Sequence, residues 1–349
     1  MDSKTNPLQK SSVGPQISGK NRSKLEIVWR NVAIMSYVHL SGLYGLYLCI
    51  FGQVFLKTFI FQLVLGYLAN FGITAGAHRL WSHKSYKANL PLRVFLMFAQ
   101  TIACQNSIHE WARDHRVHHK YTDTNADPHN SKRGFFFCHV GWLFVKKHDD
   151  LKTKGKTIDI SDLETDSVVM FQKKYFKWLT FLIAFLGPWY IPIRMWREDE
   201  WISWNLVLVR YMFTLNITWC INSVAHLWGH RPYDKNINPA ESKLTTILTV
   251  GEGWHNYHHT FPWDYKAAEL PNYLFNWTTG LIDFFAWIGW AYDMKTVPKK
   301  LILQRIQRTG DGSHSQHAGV TLNEENAHYE NSTSEIHPWG WDDRYAKGR

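Results

Sequence analysis

Residues 54–83 read VFLKTFIFQLVLGYLANFGITAGAHRLWSH, an apolar run that stops at His78 and adds His83 five positions on. The run from Val54 to Ala77 has the roughly 20 residues needed to cross a bilayer. A similar run, Asn31–Phe51, precedes it across a very short connection, and a second pair follows at Phe176–Met195 and Trp201–Ala225. None is purely apolar, since His39, Asn70, Arg210 and Asn216 interrupt them. A soluble bundle of four buried helices is the competing reading. The short hairpin connections, with Trp29, Tyr190 and Trp201 near the ends, favour membrane spans, because such side chains settle at the interface. The expected fold class is therefore all-α integral membrane. It has four transmembrane helices (about 31–51, 54–77, 176–195 and 201–225) and a helical cytosolic cap. Two further stretches, Leu90–Ile108 and Asn272–Tyr292, read as helices lying on the membrane or against the spans.

Composition agrees once its segregation is seen. The 349 residues carry 39 Lys and Arg against 29 Asp and Glu, a net charge of +10, with 15% aromatics, 18 Trp and 19 His. The aromatics exclude a disordered chain. The four cysteines, Cys49, Cys104, Cys138 and Cys220, form no CxxC pair, and with three in apolar surroundings they read as buried free thiols rather than a disulfide framework. The mean hydropathy of -0.31 averages apolar spans with polar ends. Residues 1–24 read as a disordered cytosolic N-terminus without a signal peptide. Residues 25–314 read as the folded domain and 315–349 as a flexible tail. The segment from His78 to Tyr175 holds 16 Lys and Arg, whereas the first hairpin connection holds Lys57 alone. That bias puts both termini and the central segment on the cytoplasmic side. No nucleic-acid motif accompanies the charge, so topology, anionic lipid or a polyanionic ligand accounts for it better. The sequons at Asn21, Asn216, Asn276 and Asn331 are then idle, being cytoplasmic or within a span.

Histidines form three clusters and an outlier. His78 and His83 end the second span. His115, His118 and His119 lie in the central segment, and His255, His258 and His259 follow the fourth span, which itself ends at Asn222 and His226. On an α-helix the i, i+3, i+4 spacing puts each HxxHH triple on one face, and Asn222 with His226, extended by Thr218, on another. His78 and His83 are five apart, about 140° around an ideal helix, and can meet one site only if the helix ends or distorts between them. Spans two and four end on the same side, so all nine histidines fall there, just outside the membrane core. Nine are too many for one tetrahedral zinc and enough for two metals of higher coordination. Imidazole suits Zn, Cu, Fe and Ni alike. An all-nitrogen two-metal site at a membrane surface suggests oxidative iron chemistry on a lipid-like substrate. The other histidines, among them His39, His109, His129, His139, His148 and His230, read as hydrogen-bonded or solvent-facing.

With these residues in hand, the sequence resembles the membrane acyl-CoA desaturases of the stearoyl-CoA (delta-9) type, and most of all their insect members. The matching stretches are GITAGAHRLWSH (72–83), WARDHRVHHK (111–120), ADPHNSKRGFFFCHVGW (126–142), NSVAHLWGHRPYDK (222–235), GEGWHNYHHTFPWDY (251–265) and RTGDGSH (308–314). The resemblance implies a mushroom-like four-span fold whose cap holds a di-iron site. The nine histidines would be the iron ligands, and Asn222 would hold an iron-bound water. It implies O2-dependent removal of two hydrogens from a C16 or C18 acyl-CoA to give a cis-delta-9 bond, with two Fe2+ as cofactors and O2 as co-substrate. Electrons would come from cytochrome b5 and its NADH-dependent reductase, at the endoplasmic reticulum membrane. It further implies CoA contacts at Asn31, Asn106, Arg113, Asp114, Lys146 and Lys147, and a bend in the acyl tunnel shaped by Gln105, Trp111, Thr218 and Trp219. Gly66 and Asn70, before His78, become candidates for setting chain length. Lys146 stands where an Arg is often found, which keeps charge and loses a bidentate fork. The stretch Asn238-Pro-Ala-Glu241 looks closer to metabolic delta-9 enzymes than to pheromone-type delta-11 enzymes.

Three other readings remain at this point. One is the same scaffold acting at another carbon, such as delta-11. Another is a non-enzymatic histidine-rich metal carrier, which would want polar ligands within its spans. The third is a membrane zinc hydrolase, for which Asp114 or Glu252 would have to serve as base without any HExxH motif.

Overall fold

The computed structural model describes residues 26–316. The segment 1–24, the tail beyond its first two residues, and the sequons at Asn21 and Asn331 lie outside them. Helix α1 (Trp29–Ile50) and α2 (Leu56–Phe71) form a hairpin, and α2 continues unbroken into a π-helical segment, Gly72–Ser82. Next come α3 (Leu90–Ala103), α4 (Ile108–Lys120) and the short helices α5 (Phe135–His139), α6 (Asp149–Gly155) and α7 (Ser161–Thr165). Helix α8 (Ser167–Thr180) passes through a second π-helical segment, Phe181–Leu186, into α9 (Gly187–Trp196). The 28-residue α10 (Glu200–Leu227) follows, then α11 (Lys243–Leu248), α12 (His255–Thr260), α13 (Trp277–Trp287) and α14 (Lys299–Thr309). Two short strands pair antiparallel, β1 (Lys87–Ala88) with β2 (Ala291–Tyr292).

Local chemistry sets several of these boundaries. Ser107 caps α4 by accepting from the Glu110 amide, and its hydroxyl donates to the Glu110 carboxylate, which satisfies an amide the first turn leaves orphaned. Asp166 and Asp199 cap α8 and α10 in the same way. Helix α10 runs against α1 so closely that a Cβ on Gly45 would lie 2.9 Å from the Asn205 carbonyl.

Among the described residues, three helical stretches are long and apolar enough to cross a membrane: Trp29–Ile50, Leu56–Ser82 and Ser167–Trp196. The third begins well before the expected position 176. The expected fourth span falls on helix α10, which does not reach that apolarity, so three helices rather than four qualify by length and composition. The reason is where its polar residues point. Asn205, Arg210 and Thr214 are buried, while Trp201 and Phe213 are exposed. The central turns of α10, Asn205 to Met212, are enclosed nearly all round by other elements, so its polar residues sit inside the protein while they lower the helix's average apolarity.

The two hairpin tips are tied together. The Phe55 amide donates to Glu198 Oε2 at 3.1 Å, Thr58 donates to the same carboxylate, and Trp196 Nε1 donates to Thr58 Oγ1 at 2.8 Å. At the opposite end, the π-helical end of α2 packs with α3, α4, α8 and α13 around Trp81, Leu96, Ile108 and Phe285. Helix α3 thus lies against the spans. Of the remaining sequons, Asn276 is fully buried and caps α13, and the half-buried Asn216 hydrogen-bonds His39 and His139. All four cysteines are free thiols, though only Cys138 is fully buried.

Candidate metal centre

The nine clustered histidines converge in two groups. His78, His83, His115, His119 and His258 form one, and His118, His226, His255 and His259 the other; within each, the ligand atoms lie within 4.8 Å of one another. The groups abut where the His119 and His259 rings stack at 4.1 Å between centroids.

The π-helical segment is what admits His78 and His83 to one group. In a π-helix the hydrogen bond closes i to i+5, and the His83 amide donates to the His78 carbonyl at 3.1 Å. Residues five apart then lie nearly above one another, and the two rings approach to 4.8 Å. Helix α4 delivers His115, His118 and His119 from one face. From its other face, the buried Arg116 donates to the Trp81 and Ser82 carbonyls and to Asp162, which locks α4 to the end of the π-helical segment. Helix α12 delivers His255, His258 and His259. Its Asn256 is fully buried and makes four hydrogen bonds, accepting from the Tyr233 and Asp234 amides and donating to the Asp234 and Pro239 carbonyls.

The donor set fits metal ions. The Nε2 atoms of His78 and His258, and of His83 and His115, lie 2.9 Å apart, and those of His226 and His255, and of His255 and His259, 3.1 Å apart. Metal–nitrogen bonds of about 2.1 Å place neighbouring ligands of an octahedron about 3 Å apart. Burial, and then the neighbouring imidazoles, hold His115, His119, His255, His258 and His259 well below the ordinary histidine range, so they stand neutral with lone pairs to give. Carboxylates hold protons on the far nitrogens. His118 Nδ1 pairs with Asp127 Oδ1 at 2.9 Å and His78 Nδ1 with Glu252 Oε2 at 3.0 Å, leaving each Nε2 free toward the cluster. Burial pushes Asp127 and Glu252 up, but His118 and His129 for the first, and Arg79 and His78 for the second, outweigh it and keep both ionised. Arg79 itself is buried and spends its remaining donors on Tyr265, Thr279 and Asn276.

A cavity opens on the clusters, lined by Asn70, Thr74, His78, Trp111, Thr218 and Asn222 among others. Of the residues proposed to shape a bend, Trp111 and Thr218 lie on it, and Gln105 reaches it by donating to Thr218 Oγ1 at 2.9 Å. Trp219 does not; it is packed in the core near Val38 and against the His39 ring. Asn70 lines the cavity, whereas Gly66 faces Arg210. The proposed head-group residues lie elsewhere. Asp114 accepts from Arg113 at 2.7 Å and from Lys147 at 2.6 Å, Lys146 pairs with Glu26, and Asn31 donates to the Leu143 carbonyl. Lys146 and Lys147 line a second, small pocket with Arg133 and Trp142. Asn106 is exposed at the turn between α3 and α4.

Sequence reasoning passed over Asp127 and Arg79, read His129 only as hydrogen-bonded or solvent-facing, and weighed Glu252 only as a hydrolase base. His129 joins His118 on Asp127 in a third, smaller group. Since His118 already offers Asp127 its Nδ1, that group braces a ligand from behind. The only signal for it was position, inside the ADPHN stretch between two histidine clusters.

The comparisons with known proteins agree with this geometry. The fatty acid desaturase family model matches residues 54–273. The chain is 60% identical over 290 residues to an acyl-CoA Delta-9 desaturase of Acheta domesticus, covering 83% of this chain and 80% of the relative. It is 53% identical to an acyl-CoA Delta(11) desaturase of Spodoptera littoralis (84% and 86% covered) and 52% identical to stearoyl-CoA desaturase 5 of Bos taurus (84% and 88%). The chain belongs to the fatty acid desaturase family.

Proposed function

We propose that this chain is an acyl-CoA desaturase that introduces a cis-delta-9 double bond into a saturated C16 or C18 acyl-CoA at the endoplasmic reticulum membrane. The observation that carries the proposal is the convergence of nine histidines, buried or half-buried, on two points beside a cavity flanked by membrane-crossing helices. The relatives support an acyl-CoA substrate through their names and, being delta-9 and delta-11 enzymes at comparable identity, leave the carbon to experiment.

His78, His83, His115, His119 and His258 would hold one Fe2+, and His118, His226, His255 and His259 the other, with Asn222 beside the second set. Bound there, the irons supply activation of O2 and removal of hydrogen from an unactivated methylene. The chain's own residues do the selecting. Neighbouring methylenes are chemically alike, so position is set by distance from an anchored end and by a bend. Arg113, Asp114, Lys146, Lys147, Asn31 and Asn106 are the proposed anchor for CoA, whose phosphates need charged donors. Trp111 and the Gln105–Thr218 pair would turn the acyl chain past the clusters, with Trp219 backing the wall. Asn70, one turn beyond Gly66, would limit the far end. Cytochrome b5, reduced through its NADH-dependent reductase, would provide two electrons, so that O2, the two abstracted hydrogens and two protons leave as water. Four spans with both termini cytoplasmic suit this arrangement, and residues 25–314 would form the single catalytic domain.

The test is expression in a yeast strain lacking its own delta-9 desaturase, with mass spectrometry of double-bond positions. Rescue with cis-delta-9 products bears the proposal out. Rescue with delta-11 products keeps the activity and overturns the position. Protein in the membrane without unsaturated product, in cells containing cytochrome b5, overturns the activity.

A further inference from the structure

The turn that carries Gln105 is built from backbone conformations that a side chain resists. Cys104 and Asn106, on either side of it, both sit in the left-handed region at φ 52° and 66°. Such conformations persist only where the surroundings over-determine them. Here three side chains hold the turn. Arg210 Nη1 donates to the Ile102 carbonyl at 3.0 Å, Tyr211 donates to the Cys104 carbonyl at 3.3 Å, and Gln100 Nε2 donates to the Asn106 carbonyl at 2.8 Å. The Ile102 carbonyl is among those that the C-terminus of α3 leaves without a partner.

Arg210 is a buried cation at 4% exposure, with no carboxylate partner among the described residues. Its other donors go to Gln62 on α2, at 3.1 Å, and to the Ala184 carbonyl in the second π-helical segment. One guanidinium therefore ties α2, the end of α3, the third membrane stretch and α10. Arg210 and Tyr211 also lie on the helix that presents Thr218 to the cavity, one and two turns further on through Thr214 and Thr218. The same helix thus clamps the strained turn and supplies the partner that Gln105 reaches, at 2.9 Å.

We infer that Arg210 and Tyr211 are positioning residues that fix the place of the Gln105–Thr218 pair along the acyl path and so set which methylene is desaturated. This inference rests on the desaturase reading above. Neither residue lines the cavity, so each acts through the turn. A displacement of about 1 Å is enough to change which geometry is productive, and release of either clamp lets the turn relax from its left-handed conformations.

The experiment compares double-bond positions in yeast fatty acids for the unmodified chain, Tyr211→Phe, Arg210→Lys and Gln105→Leu. The readout is the ratio of positional isomers, which does not depend on how much protein folds. Tyr211→Phe and Arg210→Lys should shift that ratio several-fold in the direction taken by Gln105→Leu. A ratio unchanged in the two clamp variants while Gln105→Leu shifts it would reduce Arg210 and Tyr211 to folding residues and overturn the inference, and so would a Gln105→Leu variant that leaves it unchanged. If Arg210→Lys does not accumulate, Tyr211→Phe, which loses one hydroxyl, decides alone. Absence of product from the unmodified chain would sink the desaturase reading itself, and this inference with it.

Discussion

At the scale of single residues, the centre depends on side chains that never touch a metal. Asp127 accepts from His118 Nδ1 and also from the Asp123 and His129 amides. Asp127→Asn keeps the shape and loses the charge, and partners of this kind are worth about 10–100-fold in metal affinity. Iron retained after dialysis against a chelator should fall accordingly, and full retention would show that His118 needs no such brace. His118→Ala should abolish desaturation while the protein remains in the membrane; surviving activity would remove His118 from the site. Glu241 makes a different case. Its Oε1 is buried without a hydrogen-bond partner, and burial pushes the carboxyl from 4.5 up to about 8. The folded chain therefore binds more protons than the unfolded one between those values, and stability falls as pH rises through that window. Glu241→Gln should gain thermal stability over the native chain at pH 8 but not at pH 4, as melting in detergent would show. An equal difference at both pH values would mean that the carboxyl does not titrate there. The nine histidines were legible because the residue is uncommon and the spacing regular. Asp127, Glu252 and Arg79 were not, since carboxylates and cations are common and Arg79 meets Glu252 across 173 positions.

At the scale of elements, the sequence states a problem that only the backbone solves. His78 and His83 cannot share a site on an α-helix, and nothing in GITAGAHRLWSH says whether the helix stops or widens. It widens, and the glycine that opens the segment shows what holds it there. A Cβ on Gly72 would lie 2.1 Å from the Gln100 amide nitrogen and 2.2 Å from the Ala99 carbonyl carbon. These are backbone atoms of α3 and cannot swing aside. Gly72→Ala must therefore push α3 from α2, an overpacking cost of about 1–3 kcal/mol or more. It should lower both melting temperature and iron content, because the displaced segment carries both histidines. Gly66→Ala, on the same helix, meets only Arg210 Cγ at 3.7 Å, an ordinary contact, and should melt as the native chain does. Equal melting of the two variants would deny that the close α2–α3 approach holds the π-helical segment in place.

At the scale of the whole molecule, the number of crossings decides whether the centre can be assembled on one side of a membrane. Three crossings would put the chain after α9 on the opposite face from α4, separating His226 and His255 from His118. An even number returns it. The tips of the two hairpins are joined through Glu198 and Thr58, so α10 starts beside the connection between α1 and α2. It ends at His226, beside His118, where the two rings lie 5.1 Å apart. A helix of 28 residues covers about 42 Å at 1.5 Å per residue, enough for a hydrocarbon core of about 30 Å. Its buried polar residues, Asn205, Arg210 and Thr214, lower its average apolarity. Those ends are what the proposed fourth crossing by α10 would require. Single cysteines placed at Gly52, in the first tip, and at Ser313, beyond α14, in a background without native cysteines, should react with a membrane-impermeant thiol reagent from opposite sides of sealed microsomes. Gly52 should be protected until detergent is added, and Ser313 labelled at once. Labelling of both from the same side would remove the even parity, and with it the common face on which the nine histidines meet.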